Sequence, residues 1–222
     1  MHLLFDLDGT LTDPFLGITR CIQHALEDLG QSPPSAESLR WCIGPPLKKS
    51  FVLLLGPKNE NLADVALAKY RERFSTIGLI ENDVYPGIAE ALDTLQQSGQ
   101  ILHVATSKPS VYAKRIADHF GLTKYFRSIH GSELDGTRSD KTTLISHLLL
   151  REGIPSGDAL MIGDREHDMI GARRNRVAGL GVLWGYGNQD ELVRAGAFAC
   201  IASPSNLLEA VSNRLLRSTL KH

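Results

Sequence analysis

The 222-residue sequence is short of cysteine, of net charge and of long apolar runs, and each shortage excludes a class of protein. Its 3 cysteines, Cys21, Cys42 and Cys200, are odd in number and never form a Cys-x-x-Cys spacing. Neither a disulfide framework nor a structural zinc site is expected from them. A formal net charge of -1 gives no field to gather a nucleic acid polymer or an anionic membrane surface. No apolar run approaches the roughly 20 residues of a membrane span. The apolar start lacks a basic leader and is broken at Asp6, so it does not read as a signal peptide. With 42% hydrophobic and 22% charged residues, the chain has an ordinary globular composition that can bury a sizeable core. A home in the reducing cytoplasm, without polymer or membrane partners, is expected.

What is present is concentrated at the start, where Leu3-Leu4-Phe5 runs into Asp6-Leu7-Asp8-Gly9-Thr10. Such a run suits a strand buried on both faces of a parallel sheet. Ligand sites of open α/β sheets form beyond the carboxyl ends of these strands. Strand alternation points Asp6 and Asp8 to the same side, where like charges raise each other's pKa unless a cation lies between them. The pair asks for a metal ion.

After Asp13-Pro14 the pattern is helical. Ile18, Cys21, Ile22, Ala25, Leu26 and Leu29 recur at helical spacing, Pro46 opens a helix over 47–55, and Leu62 to Ile77 form an amphipathic helix ending at Gly78. Residues 15–82 read as a strandless helical unit with Cys21 and Leu53 to Leu55 in its core. From Tyr85-Pro86-Gly87 onward, strands at 101–105, 128–130, 159–162, 179–184 and 198–201 alternate with helices at 88–97, from 108 to 121, at 141–152 and 167–174. A last helix follows Ser203-Pro204 and bears Leu207, Leu208, Val211 and Leu215. This predicts an α/β fold: a doubly wound, parallel-sheet, Rossmann-like core from residues 1–14 and 83–222, with an all-helical cap inserted at 15–82. The crossings near Asp13-Pro14 and near Asp83–Gly87 are where hinges are expected.

Asp6/Asp8, Thr106-Ser107, Lys141 and Asp164/Asp168 all sit at strand ends or a helix start, which such a sheet brings to one edge. Singly, each has a plainer reading: Asp as a turn former, Thr106-Ser107 as a helix N-cap, Lys141 as a solvated helix residue. Jointly they are two carboxylate pairs, a hydroxyl-plus-amide site and an ammonium, a set that can hold a divalent cation and a phosphate. Lys48 and Lys49 follow a Gly-Pro-Pro loop and are candidates for a substrate carboxylate or phosphate, although consecutive residues do not face one way. Arg165 is a further candidate for substrate or cap contact, but it and His167 read first as a solvated helix start. His103, inside a strand, reads as a packed histidine.

Asp6-Leu7-Asp8-Gly9-Thr10, Thr106, Lys141 and Gly163-Asp164-Arg165-Glu166-His167-Asp168 occur in the order of the four motifs of the haloacid dehalogenase-like superfamily, which the chain resembles along its whole length. The helical insert resembles the cap of the phosphoglycolate phosphatase-like branch. The start through Asp13-Pro14, Ile43-Gly44-Pro45-Pro46 and Ala105-Thr106-Ser107-Lys108-Pro109 resemble phosphoglycolate phosphatases and 5'-nucleotidases. The resemblance implies a phosphomonoesterase in which Asp6 is the nucleophile and Asp8 the general acid and base. It implies Mg²⁺ held by the Asp6 side chain, the Asp8 backbone carbonyl and Asp164, with Asp168 acting through water or on Asp164. Thr106 and the amides of Leu7 and Ser107 would bind phosphoryl oxygens, and Lys141 would neutralise charge on Asp6 and the phosphate. The implied partner is a small phosphorylated metabolite, a nucleoside 5'-monophosphate or 2-phosphoglycolate. A phosphosugar mutase and a non-catalytic phosphometabolite-binding protein share the fold and stay open at this point.

Overall fold

In the computed structural model, which describes residues 1–219, Leu3, Leu4 and Phe5 are fully buried in strand β1 (His2–Phe5). The chain then passes through β2 (Thr12–Asp13) into helices α1 (Phe15–Asp28), α2 (Leu47–Leu55) and α3 (Ala63–Arg73), and returns through β3 (Asp83–Val84). Alternation follows: α4 (Ile88–Gln97), β4 (Ile101–Pro109), α5 (Ser110–His119), β5 (Ser128–Ser132), α6 (Lys141–Glu152), β6 (Ala159–Gly163), α7 (Glu166–Arg174), β7 (Ala178–Val182), α8 (Gln189–Ala195), β8 (Ala199–Ile201) and α9 (Leu207–Thr219). Six strands form one sheet in the order β5-β4-β1-β6-β7-β8, every pairing parallel. β1 lies between β4 and β6, with Phe5 opposite Val104 and Ile162. The first strand therefore delivers its acids between the ends of the two strands that carry Thr106 and Asp164.

The apolar run works because alternate residues serve opposite faces. Leu3 and Phe5 join Leu102, Val104, Leu160 and Ile162 in a core continued by Ile88, Leu92 and Ile116. Leu4 joins Met161, Ile145, Leu148 and Ala172 under α6 and α7. The larger core runs on without interruption into the insert through Ile18, Cys21, Phe51 and Phe74. Each fully buried Leu or Phe contributes roughly 1.5–3 kcal/mol.

Several local expectations change. β4 continues past Ala105 to Pro109, where a helix start is expected, because Pro109 still registers with Ser132 across an irregularity in the ladder. α3 gives way at Phe74–Gly78 to a π-helical turn instead of running on. α8, capped by the Asn188 side chain, has no counterpart in the sequence reading, since seven residues offer too little periodicity. Leu53 does not belong to the insert's core: it is 70% exposed, and Phe51 and Leu55 turn inward instead. The two crossings meet as an antiparallel ladder pairing Thr12 with Val84 and Asp13 with Asp83. The side chain of Leu215 lies outside the described residues. No helix among the described residues is long and apolar enough to cross a membrane.

His103 is indeed a packed histidine. It is fully buried, 3.0 Å from His2 Nδ1 and 2.7 Å from Ser128 Oγ. Burial pushes its imidazole down to about 4. The native state therefore refuses a proton that the unfolded chain accepts near pH 6.5, and His103's contribution to stability is lost as pH falls from there toward 4. The stability gap between the parent and His103→Gln should narrow by up to roughly 3 kcal/mol over that window. Urea denaturation at pH 7 and pH 4.5 measures it; a constant gap contradicts the assignment.

Candidate active site

Asp6 follows β1 directly, anchored by its backbone N–H donating to Ile162 O at 2.9 Å. Its Oδ1 accepts from the Leu7 N–H at 2.8 Å and lies 3.0 Å from Lys141 Nζ. Lys141 opens α6, whose N-cap is the Asp140 side chain, accepting from the Thr142 and Thr143 amides. From there the lysine reaches under the sheet edge: its Nζ donates to Ala105 O at 2.9 Å and lies 2.7 Å from Asp168 Oδ1. Desolvation would lower an ammonium at this depth, but Asp168 and Asp6 outweigh it and hold Lys141 charged, its pKa raised.

Asp164 closes the cluster at the end of β6. It is fully buried, its Oδ2 accepting from the Tyr186 N–H at 2.8 Å and its Oδ1 from the Thr10 hydroxyl at 3.3 Å. Burial, with Asp168 and Asp6 nearby, pushes its carboxyl well above the usual range. Burial likewise carries Asp168 up to about 6 against the pull of Lys141. Carboxylate oxygens of Asp6, Asp164 and Asp168 all lie within 4.8 Å of one another. Three carboxylates set against one ammonium leave two formal negative charges, the complement of one divalent cation, and an all-oxygen donor set suits Mg²⁺. The residues present fit the ion.

The Asp8 side chain stands apart from that cluster. Its Oδ2 pairs with Lys108 Nζ at 2.8 Å, while its Oδ1 is buried with no hydrogen-bond partner among the described residues. Burial raises its carboxyl, Lys108 opposes the rise and Asp6 adds to it. Asp6 and Asp8 thus each have an ammonium of their own, and any metal bond from Asp8 falls to its backbone. Gly9 makes this approach possible. It sits at φ 81°, and a Cβ there would come within 2.2 Å of Asp164 Oδ2. Gly9→Ala should cost about 1–3 kcal/mol of strain, displace Asp164 and raise the divalent-cation concentration needed for half-maximal turnover at least tenfold. An unchanged metal titration contradicts this placement.

Thr106 and Ser107 line the same cavity as Asp6 and Asp8, and neither caps α5, whose N-cap is Pro109. Thr106 Oγ1 accepts from the Lys108 N–H at 3.3 Å, and Ser107 O accepts from the Ser132 hydroxyl at 2.8 Å. The cavity, about 550 Å³, lies between these strand ends and the helical insert, with Ile18, Val52, Leu67, Tyr70, Phe74 and Tyr112 among its walls. Lys48 and Lys49 both reach its lining, although they are consecutive, and Lys48 pairs with Asp64 at 2.8 Å. Arg165 is not solvated. Its Nη1 donates to Ile43 O in the insert at 2.6 Å and its Nε to Glu191 at 2.9 Å, so it ties the loop of Asp164 to the insert rather than to the cavity. Lys108 and Tyr186 have no counterpart among the residues singled out from sequence. Tyr186 joins the acids to a crossing, its N–H donating to Asp164 and its hydroxyl to Asp13. Only Lys108's place beside Thr106-Ser107 marked it in the sequence.

A parallel sheet with a buried acid cluster at its carboxyl edge and a helical insert over it defines a class. Residues 3–182 match the model of the haloacid dehalogenase-like hydrolases, and the chain belongs to that family. More closely, it is a phosphatase of that family. It is 52% identical over 191 residues to a 5'-nucleotidase of Pseudomonas aeruginosa, covering 86% of each chain. It is 27% identical to a phosphoglycolate phosphatase of Vibrio parahaemolyticus over 95% of both. The crystal structure of a predicted phosphatase from Clostridium acetobutylicum superposes with a TM-score of 0.90 at 42% identity, covering 96% of this chain and 98% of that one.

Proposed function

We propose that this phosphatase hydrolyses nucleoside 5'-monophosphates in the cytoplasm, with Mg²⁺, through an aspartyl-phosphate on Asp6. One observation carries the substrate: a cavity of about 550 Å³ with tyrosine and phenylalanine in its walls opens directly on Asp6 and Asp8. That volume suits a nucleoside and is far larger than a two-carbon acid requires. The similarity to a 5'-nucleotidase supports the same choice. The odd number of cysteines without Cys-x-x-Cys spacing is what favours the reducing compartment.

Asp6, Asp164 and the backbone carbonyl of Asp8 would hold the Mg²⁺, oriented from behind by Asp168. When bound, the ion offsets charge on the phosphoryl oxygens and helps hold the phosphate against Asp6. Asp6 attacks phosphorus as the bond to the ribose oxygen breaks. Asp8, whose burial favours the protonated form, gives its proton to that departing oxygen. Asp8 then takes a proton from water as the water oxygen attacks phosphorus and the bond to Asp6 breaks, which restores the Asp6 carboxylate and the protonated Asp8 and releases phosphate. Thr106 and the Ser107 amide orient the phosphoryl group while the Leu7 amide holds Asp6, Lys141 neutralises charge as it shifts from Asp6, and the insert excludes water.

A second reading, 2-phosphoglycolate, draws on the two lysines of the lining, Lys48 and Lys49, which would meet its carboxylate, and on the Vibrio relative. Phosphate release across nucleoside monophosphates, 2-phosphoglycolate and sugar phosphates, with Mg²⁺ and with EDTA, decides between them. We expect a nucleoside monophosphate to give the highest kcat/KM and EDTA to abolish it. A preference for 2-phosphoglycolate overturns the substrate, and phosphate release from no monoester leaves a binding protein. Transfer of the phosphoryl group to a phosphosugar with no phosphate released indicates a mutase, and phosphate release without such an acceptor counts against one.

A further inference from the structure

We propose that Lys108 is a positioning residue through which the helical insert, closed on the core, sets Asp8 for proton transfer. The inference rests on the assignment of Asp8 as acid and base. Lys108 Nζ lies 2.8 Å from Asp8 Oδ2 on one side and 4.5 Å from the centroid of the Phe74 ring on the other. Only 5% of the lysine side chain is exposed. Phe74 belongs to the insert, opening its π-helical turn, and is itself fixed by Tyr70, stacked at 5.1 Å, and by Tyr112 of the core, edge-on at 5.3 Å. An ammonium is strongly hydrated and is held out of water only where a carboxylate and an aromatic face replace that hydration. The core supplies the carboxylate and the insert supplies the face.

The backbone of Lys108 adds a second constraint. Its N–H donates to Thr106 Oγ1 at 3.3 Å, so the lysine starts from the residue that orients the phosphoryl group. Between that anchor and Phe74 it grips one oxygen of Asp8 and leaves the other, Oδ1, buried and unpartnered in the cavity lining. A buried oxygen without a partner is costly, and here it is the atom that must meet first the leaving oxygen and later a water. If the insert moves away, Phe74 goes with it, Lys108 rehydrates and its hold on Asp8 loosens. The proton moves from Asp8 to the leaving oxygen, and later from water to Asp8; Lys108 keeps its own protons throughout. Closure and acid-base readiness then become one event.

The test uses two leaving groups in the whole enzyme with Mg²⁺. p-Nitrophenolate departs without a proton, whereas the alkoxide of AMP needs one. In Lys108→Met, which keeps the length and packing of the side chain, p-nitrophenyl phosphate should give a burst of one p-nitrophenolate per active site, then a steady rate roughly 10²-fold below the parent. AMP should show a similar fall and no burst. Phe74→Leu should reproduce the burst with a fall of about tenfold; parent-like behaviour there removes the insert from the link. A Lys108→Met enzyme slowed on both substrates without a burst has a damaged Asp6 site, and the positioning role is overturned. Asp8→Asn distinguishes the two levels. No burst in Asp8→Asn defeats the acid-base assignment itself, while a burst in Asp8→Asn but not in Lys108→Met defeats only the inference about Lys108.

Discussion

Asp6→Asn should lower phosphate release by roughly 10⁴-fold or more, in line with the loss of a nucleophile from a catalytic unit, and leave the protein at least as stable as the parent. The two halves of that expectation come from the same geometry. Asp6 is nearly buried, and its Oδ1 is held by the Leu7 amide and Lys141, so an amide of the same shape keeps the backbone contact but cannot form an acyl phosphate. For stability, the substitution removes one of three carboxylates within 4.8 Å, and Lys141 keeps Asp168 as its partner at 2.7 Å. Steady-state kinetics with a thermal melt check both halves; a residual rate above a few per cent of the parent, or a collapsed fold, counts against Asp6 as nucleophile.

The second large effect is expected at Lys141. Lys141→Met strips from Asp6 and Asp168 the one side-chain cation each pairs with among the described residues and leaves Ala105 O without that donor. Removing one partner of a buried charge network costs about 3–5 kcal/mol, and turnover should fall roughly 10³-fold with the loss of charge stabilisation. The variant's pH dependence has a definite sign. Asp168 already titrates near 6 because it is buried, and without the ammonium that opposes this rise it goes up further. Carboxyls with folded pKa values above the unfolded ones destabilise at high pH, and the penalty fades as pH falls through the folded value. Lys141→Met should therefore recover much of its lost stability between pH 8 and pH 5. Melting curves over that range test it, and a deficit independent of pH contradicts the charge argument.

The sequence reading succeeded where residue type and period carry the physics. Leu3-Leu4-Phe5 announces a strand buried on both faces, and the acids after it fall where the sheet needs them, because parallel pairing with Ile101–Val104 and Ala159–Ile162 aligns three strand ends. Lys108 stood within the segment Ala105-Thr106-Ser107-Lys108-Pro109, but its role was not legible because its partners, Asp8 and Phe74, come from opposite sides of a chain crossing. Arg165 does make the cap contact for which it was a candidate, but the solvated helix start fails because its acceptor is the backbone carbonyl of Ile43, which no residue type betrays. The same holds for the Tyr186 amide on Asp164. Lys108-Pro109 resembles a helix start, yet pairing with Ser132 keeps it extended, tertiary structure overriding a local signal. The two crossings were legible as crossings, but their mutual pairing through Thr12 and Val84 depends on the insert returning beside its departure.

The proposed mechanism turns on a covalent bond to Asp6, a bond that can be sought directly. Asp8→Asn should still accept the phosphoryl group but hydrolyse it slowly, so the phospho-enzyme accumulates. Acid-quenching this variant after brief incubation with Mg²⁺ and radiolabelled p-nitrophenyl phosphate, then mapping the label by peptide, is the direct measurement. Close to one label per chain on Asp6, absent from the Asp6→Asn/Asp8→Asn double variant, is the predicted result. Label on any other residue, or none while p-nitrophenolate is still released, would contradict the mechanism.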